Sequence, residues 1–252
     1  MDATADYRHF RTATDDDNIV WLTFDKADTG TNVFSPEVLE ELDSILQVIA
    51  AQPPRGLVIL SGKPNGFIAG ADIKSFTDVR NEKDAMVFLQ RGQDVLNRLA
   101  DCPFPTVALI HGFCLGGGTE MSLACRYRVM RDDPGTRIGL PEVRLGIHPG
   151  WGGSARMVPL IGAVKAMDLI LSGRSIDGRA AQRFGLVDRV APERHLREAA
   201  RRLVLDQPPP CRAGFLDRLS NNALVRPLLG RVFRRQVGKR ASKLHYPAPY
   251  AM

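Results

Sequence analysis

The sequence predicts an α/β protein, on three observations. Short apolar runs suited to buried strands recur along the chain. Apolar stripes at helical spacing separate them, and glycine-rich stretches fall at the ends of strand-like runs. Asn18 to Phe24 ("NIVWLTF") reads as the first strand. Ser35 to Ala51 reads as a helix, with Ser35 as N-cap, Pro36 at the first helical position, and Val38, Leu39, Leu42, Ile45, Leu46 and Ile49 on one face. "GLVIL" (Gly56 to Leu60) and "TVALI" (Thr106 to Ile110) lack polar alternation, the pattern of strands covered on both faces. Between them a long helix is expected over Glu82 to Ala100, stopping before Pro103. Further strands are expected at Tyr127 to Met130 and Gly185 to Val190, and helices at Ala163 to Leu171, Asp177 to Arg183 and Glu193 to Leu205. "DQPPPCRAG" (Asp206 to Gly214) breaks the alternation and marks a sub-boundary, beyond which the chain reads as basic and helical.

The 252 residues suit one large domain or a main domain with an appendage, and 44% hydrophobic with 25% charged residues is an ordinary globular balance. No apolar run reaches the roughly 18 residues of a membrane span, and the N-terminus lacks the apolar core of a secretory signal, so a cytoplasmic or matrix-like setting is expected. Cys102, Cys114, Cys125 and Cys211 show neither metal-ligand nor disulfide-frame spacing, and no H-x-x-x-H pair occurs, so no metal is expected. The net charge of +6 is uneven: residues 201–252 carry eleven Lys/Arg against two Asp/Glu. Such a tail suits a solvated helical face or a docking surface. RNA or anionic lipid is the alternative, but the tail's aromatic residues form no RNA-binding signature, and no nucleic-acid partner is expected.

Three stretches put glycine beside an acid at the end of a strand-like run: "GFIAGADI" (Gly66 to Ile73), "HGFCLGGGTE" (His111 to Glu120) and "GLPEVRLGIHPGWGG" (Gly139 to Gly153). In open α/β sheets ligands bind there. A buried strand that runs into Gly116, Gly117 and Gly118 and then a helix offers backbone N–H groups to an anion or a developing negative charge. A tight turn with close packing explains one of these glycines but not three. Nucleotide motifs do not fit: there is no P-loop, and "GWGGSA" (Gly150 to Ala155) matches a dinucleotide fingerprint without the buried strand that should precede it. Nor is there a G-x-S-x-G elbow. Glu120 in a first helical turn and Glu142 in a loop are each unremarkable taken singly.

Together with "GLVDRV" (Gly185 to Val190), these stretches resemble the crotonase superfamily, specifically its enoyl-CoA hydratase/isomerase family, in order and spacing from about Ile19 to Val190. "SGKPNGFIAGADI", "DDPGTRIGLPEVRLGIHPGWGG" and the terminal "KLHYPAP" are similar in particular to the hydratase portion of multifunctional fatty-acid oxidation alpha chains. The resemblance implies a crotonase-like spiral of ββα repeats with a C-terminal helical segment, a hydratase/isomerase core over residues 1–205 and a basic segment over 206–252. It implies hydration of a trans-2-enoyl-CoA to a 3-hydroxyacyl-CoA in fatty-acid beta-oxidation, with a delta3-delta2 isomerase side activity. No cofactor is implied beyond the coenzyme A of the substrate itself. By motif, the Ala71 and Gly117 N–H groups form the oxyanion hole, and Glu120 and Glu142 are the catalytic acids. Retention of both acids favours hydratase over single-acid isomerases. Ile68, Gly70, Asp72 and Ile73 fall along the coenzyme A, Gly116 lets backbone and ligand approach, and Trp151 either lines the acyl pocket or simply packs. His111 and His148 are expected to be locally hydrogen-bonded. Implied partners are an acyl-CoA, a dehydrogenase domain or thiolase subunit of a beta-oxidation complex, and further copies of the chain if it stands alone. His111 and Thr119 depart from common family residues, and Ala27 to Val33 differs from the usual signature, which leaves coenzyme A contacts there open.

Overall fold

The computed structural model describes residues 7–72, 80–222 and 225–238. Strands β1 (Phe10–Thr14), β2 (Ile19–Phe24), β3 (Gly56–Ser61), β5 (Thr106–Ile110), β7 (Tyr127–Arg131) and β10 (Arg189–Ala191) form one sheet, ordered β1-β2-β3-β5-β7-β10. Only β1–β2 is antiparallel there. Strands β4 (Gly66–Ile68), β6 (Phe113–Leu115), β8 (Arg137–Gly139) and β9 (Ser175–Asp177) make a second sheet in that order. The chain visits the two sheets in turn and then enters a helix. Thus β3 and β4 lead to α2 (Glu82–Ala100), β5 and β6 to α3 (Gly117–Ala124), and β7 and β8 to a 3₁₀ turn (Glu142–Leu145) and α4 (Gly153–Ile161). Each turn of this ββα spiral lies parallel to the previous one, so equivalent points of successive turns become neighbours.

The six-stranded sheet is covered on both faces, as its unbroken apolar strands require. Ile19, Trp21, Val58, Leu60, Val107, Leu109, Tyr127 and Val129 pack against Leu196, Ala200, Leu203 and Val204 of α7 (Leu196–Asp206). The alternate residues Val20, Leu22, Phe24, Leu57, Ile59, Ala108, Ile110 and Met130 face the main core with α1 (Pro36–Ala51) and α2. Helix α1 starts as its sequence predicts: the Ser35 side chain accepts the Val38 N–H, Pro36 follows, and all six stripe residues are buried. Asn81 caps α2 in the same way through the Asp84 N–H. Helix α5 (Ala163–Ser172) comes next, then α6 (Gly178–Phe184), capped by Asp177.

One predicted strand is shorter than expected. Gly185 adopts a left-handed conformation (φ 81°) as the C-cap of α6, so the expected strand over Gly185 to Val190 is a turn until Arg189. That turn is held by Arg128, a buried residue of β7. Its guanidinium donates to Leu186 O, Cys125 O and Asp188 Oδ2 at 2.8, 2.8 and 3.0 Å. Beyond residues 207–214, α8 (Phe215–Ser220) and α9 (Arg226–Gly238) lie against α5. Asp217 of α8 pairs with Lys165 at 2.7 Å, while Phe215, Leu228 and Val232 are exposed.

Candidate active site

The glycine motifs converge because β4 and β6 are adjacent and parallel. Each strand is followed within two residues by a glycine with positive φ, Gly70 at 117° and Gly116 at 53°, a region that L-residues with a Cβ rarely occupy. After Gly70, Phe34 donates its N–H to Gly70 O at 2.9 Å and accepts that of Asp72 at 2.8 Å. This parallel bridge, Phe34 to Ala71, uses the groups on either side of Ala71 and turns its own N–H away from the bridge. After Gly116, Gly117 opens α3, so its N–H lacks an intrahelical acceptor. A Cβ placed on Gly117 would lie 3.5 Å from Ala71 N, and one on Gly70 would lie 3.6 Å from Gly117 N. The two amide nitrogens are therefore close neighbours, and a Cβ at Gly70 or Gly117 would crowd them.

Glu120, one turn into α3, is 3% exposed. Its Oε1 accepts the N–H groups of Trp151 and Gly153, both at 2.8 Å. Gly152 (φ 96°) makes this possible, because it turns the chain so that the first N–H of α4 also points at the carboxylate. Burial raises the Glu120 pKa. The two N–H donors, Arg156 and His148 work against that rise and support the charged form.

Glu142 begins the 3₁₀ turn after β8 and is 9% exposed. Its Oε1 sits 3.3 Å from where a Cβ on Gly116 would be, so the carboxyl group overhangs the end of β6. Oε2 is buried without a hydrogen-bond partner among the described residues. Burial first, and repulsion from Glu120 second, push its pKa up to about 8. The two buried carboxyl groups thus differ in environment: one accepts two backbone N–H bonds, and the other keeps an oxygen without a partner among the described residues and a raised pKa. The Gly116 N–H donates to Gly139 O at 3.0 Å, and the Thr119 hydroxyl contacts Cys114 O and Gly139 O at 2.7 Å. These bonds fix β8, and with it Glu142, against the glycine run.

The remaining expected residues fall in varied settings. Gly70 and Gly116 flank the amide pair. The Ile68 side chain is wholly buried against α3, where a Cβ on Gly118 would sit 2.7 Å from it, so only backbone at Ile68 can meet a ligand. Asp72 pairs with Lys26 Nζ at 2.9 Å, and Ile73 lies outside the described residues. Trp151 is 3% exposed and packs edge-on to Phe34 and Phe88. Its ring fills the space left by Gly92 and Gly117, whose Cβ positions would be 2.2 and 2.6 Å away. This is packing, the second of the two roles the sequence left open, and it places the ring directly behind the Gly117 amide. His148 Nδ1 lies 3.4 Å from Pro149 O, a local contact, whereas His111 Nε2 lies 2.8 Å from Lys63 O on a distant stretch of the chain. All four cysteines are free. Among the described residues no His/Cys/Asp/Glu group of three or more could hold a metal, and no helix is long and apolar enough to cross a membrane. Sequence reading missed Gln93, Asn97 and Arg156, which brace the 150–153 loop from α2 and α4. Their only signal was polar residues on otherwise amphipathic helices.

A ββα spiral that brings two backbone amides beside two buried carboxyl groups is the architecture of a crotonase-superfamily enzyme. The chain belongs to the enoyl-CoA hydratase/isomerase family, whose description matches residues 14–209. It is 40% identical over 237 residues to the fatty acid oxidation complex subunit alpha of Aliivibrio fischeri, covering 93% of this chain and 34% of that protein. It is 37% identical to the Vibrio cholerae protein so described, over 96% of this chain and 35% of that one. The chain therefore spans about a third of the length of the curated relatives it matches. The crystal structure of an enoyl-CoA hydratase from Bacillus anthracis superposes with a TM-score of 0.72 at 32% identity, covering 79% of this chain and 76% of that one.

Proposed function

We propose that the protein hydrates trans-2-enoyl-CoA thioesters to 3-hydroxyacyl-CoA in fatty-acid beta-oxidation. The observation that carries this reading is the pairing of two convergent amides with two buried carboxyl groups of unlike environment. The thioester oxygen sits between the Ala71 and Gly117 N–H groups, where negative charge develops as the enolate forms. Each such donor contributes roughly 10²–10³ in rate. Glu120, whose carboxylate form the Trp151 and Gly153 N–H groups and Arg156 support against burial, takes a proton from a water as its oxygen bonds to C3. Glu142, protonated at neutral pH, gives its proton to C2. The net change is H and OH added across the double bond, with the proton gained by Glu120 returned to Glu142 through solvent or product. Gly70, Gly116 and the backbone of Ile68 border the thioester and coenzyme A, and Asp72, paired with Lys26, lies beside the same path. The ring of Trp151 backs the acyl end.

In its ionised form Glu142 also suits isomerisation, removing a C2 proton from a 3-enoyl-CoA and returning it at C4 of the dienolate. The substrate's coenzyme A is the only cofactor this chemistry requires. Names and lengths of the relatives support a partner from a beta-oxidation complex, a dehydrogenase domain or a thiolase subunit, or else further copies of the chain. Exposed Phe215 on α8 and Leu228 and Val232 on basic α9 offer the surface. A cytoplasmic setting fits this role. Purified protein should consume the enoyl-thioester absorbance of crotonyl-CoA and then of longer chains. A folded protein that leaves every chain length unchanged would overturn the reading.

A further inference from the structure

The Glu120 carboxylate depends on the loop Gly150–Gly153, and that loop has no regular secondary structure until α4 begins. Within a planar peptide the C=O and the next N–H point in opposite directions, so anchoring a carbonyl aims the N–H that shares its plane. Three successive carbonyls here are anchored. Gln93 of α2 donates from Nε2 to Gly150 O at 2.7 Å, which aims the Trp151 N–H at Glu120. The Arg156 side chain donates from Nη1 to Trp151 O at 2.7 Å. The Arg156 backbone N–H donates to Gly152 O at 2.9 Å, which aims the Gly153 N–H at the same carboxylate oxygen. Arg156 is tied in turn to α2, its Nη2 donating to Asn97 Oδ1 at 2.6 Å, and Asn97 lies one helical turn beyond Gln93. The guanidinium packs so closely on the turn that a Cβ on Gly152 would lie 2.3 Å from Nη1.

We infer that Arg156 is a positioning residue for Glu120: with Gln93 and Asn97 it clamps the Gly150–Gly153 loop so that two amides stay aimed at one carboxylate oxygen. The clamp has an electrostatic side as well. The charged groups that face Glu120 are Glu142 from the 3₁₀ turn, His148 from the loop after that turn and Arg156 from α4, and Arg156 itself faces Asp101 at the end of α2. Arg156 is partly buried, and its guanidinium hydrogen bonds go to neutral partners, Trp151 O and Asn97 Oδ1, while Glu120 and Asp101 both act on its charge. Removing it takes away both the loop anchor and a cation that supports the ionised carboxylate.

The inference rests on the hydratase reading for its kinetic readout, and a second readout does not. In uniformly folded protein, the Glu120 carboxyl can be titrated by ¹³C NMR with labelled glutamate, its signal assigned by loss in Glu120→Gln. In Arg156→Met it should titrate about one pH unit higher than in wild type, the scale on which a nearby opposite charge acts. Arg156→Lys, which keeps the charge, should stay near the wild-type midpoint. With crotonyl-CoA, Arg156→Met should lose about tenfold to a hundredfold in kcat, the scale of a small misplacement, with KM within about twofold, and the acid limb of kcat/KM should move up with the titration. A Glu120 midpoint in Arg156→Met equal to wild type would overturn the inference. If that variant fails to fold, Gln93→Met tests the same loop, and wild-type titration there would count against it. Should wild-type protein hydrate nothing, the function falls while the titration still decides the role of Arg156.

Discussion

Glu142→Gln should make the protein more stable and nearly inactive, and the size of the gain follows from the site. The folded pKa of about 8 stands well above the ordinary value of 4.5. The native state therefore holds a proton that the unfolded chain releases over that window. The sign follows from linkage: below about pH 4.5 both states are protonated and the carboxyl costs nothing, and as pH rises toward 8 the wild-type native state loses stability relative to the unfolded chain. Glutamine, similar in shape and never charged, escapes that loss. Between pH 5 and pH 8.5 the stability difference between Glu142→Gln and wild type should widen by about 4 kcal/mol, at about 1.4 kcal/mol per tenfold shift in the proton equilibrium. For a chain of this size that corresponds to roughly 10 °C in Tm at the alkaline end. Urea unfolding of both proteins at several pH values, with m unchanged, reads it directly. A difference that stays constant from pH 5 to 8.5 would refute the claim that Glu142 is held neutral by burial and by Glu120. The same substitution should lower crotonyl-CoA turnover by about 10²–10⁴, since it removes the proton donor.

Other outcomes follow from the same geometry. Hydration should fall as pH rises through about 8, where Glu142 ionises, while isomerisation of a 3-enoyl-CoA should rise over the same range; parallel pH profiles for the two reactions would contradict one carboxyl serving both. Gly117→Ala drives a methyl to 2.6 Å from the Trp151 ring and into the space before the Ala71 amide; activity should drop by about 10²–10³ and stability by about 1–3 kcal/mol, measured by kinetics and urea unfolding. Arg128→Met leaves Asp188 buried without its cation and should cost about 3–5 kcal/mol, read as a lower unfolding midpoint, with Arg128→Met/Asp188→Asn recovering part of the loss.

The long elements were legible because their signals are local. The α1 stripe, its Ser35 cap and the apolar runs of β3 and β5 need only their own residues to be recognised. The second sheet was not legible. Its strands are three residues each, β6 begins next to a glycine and β8 follows a turn, and their partners come from distant turns of the spiral, so no window contains the pairing that forms them. The same holds for the site. Gly116 to Gly118 announced an exposed helix N-terminus, and the family resemblance pointed to Ala71, Glu120 and Glu142. The burial of Glu142, which a loop position argues against, arises only when β8 is pinned beside the glycine run through Gly139. The amide donors of Glu120 lie some thirty residues on, in a loop whose shape is set by Gln93 and Arg156. Trp151, which the sequence left as either pocket wall or plain packing, sits on Gly92 and Gly117, and the missing side chains there are the room its ring needs in the core.

The division of labour between the two acids is tested most directly by kcat for crotonyl-CoA in Glu120→Gln, Glu142→Gln and the double variant, alongside calorimetric binding of a saturated acyl-CoA. Each single variant should lose about 10²–10⁴ in kcat, the double should lose little more than the worse single, and binding should stay within a few-fold of wild type because the Ala71 and Gly117 amides remain. Wild-type turnover in either single variant would contradict the account.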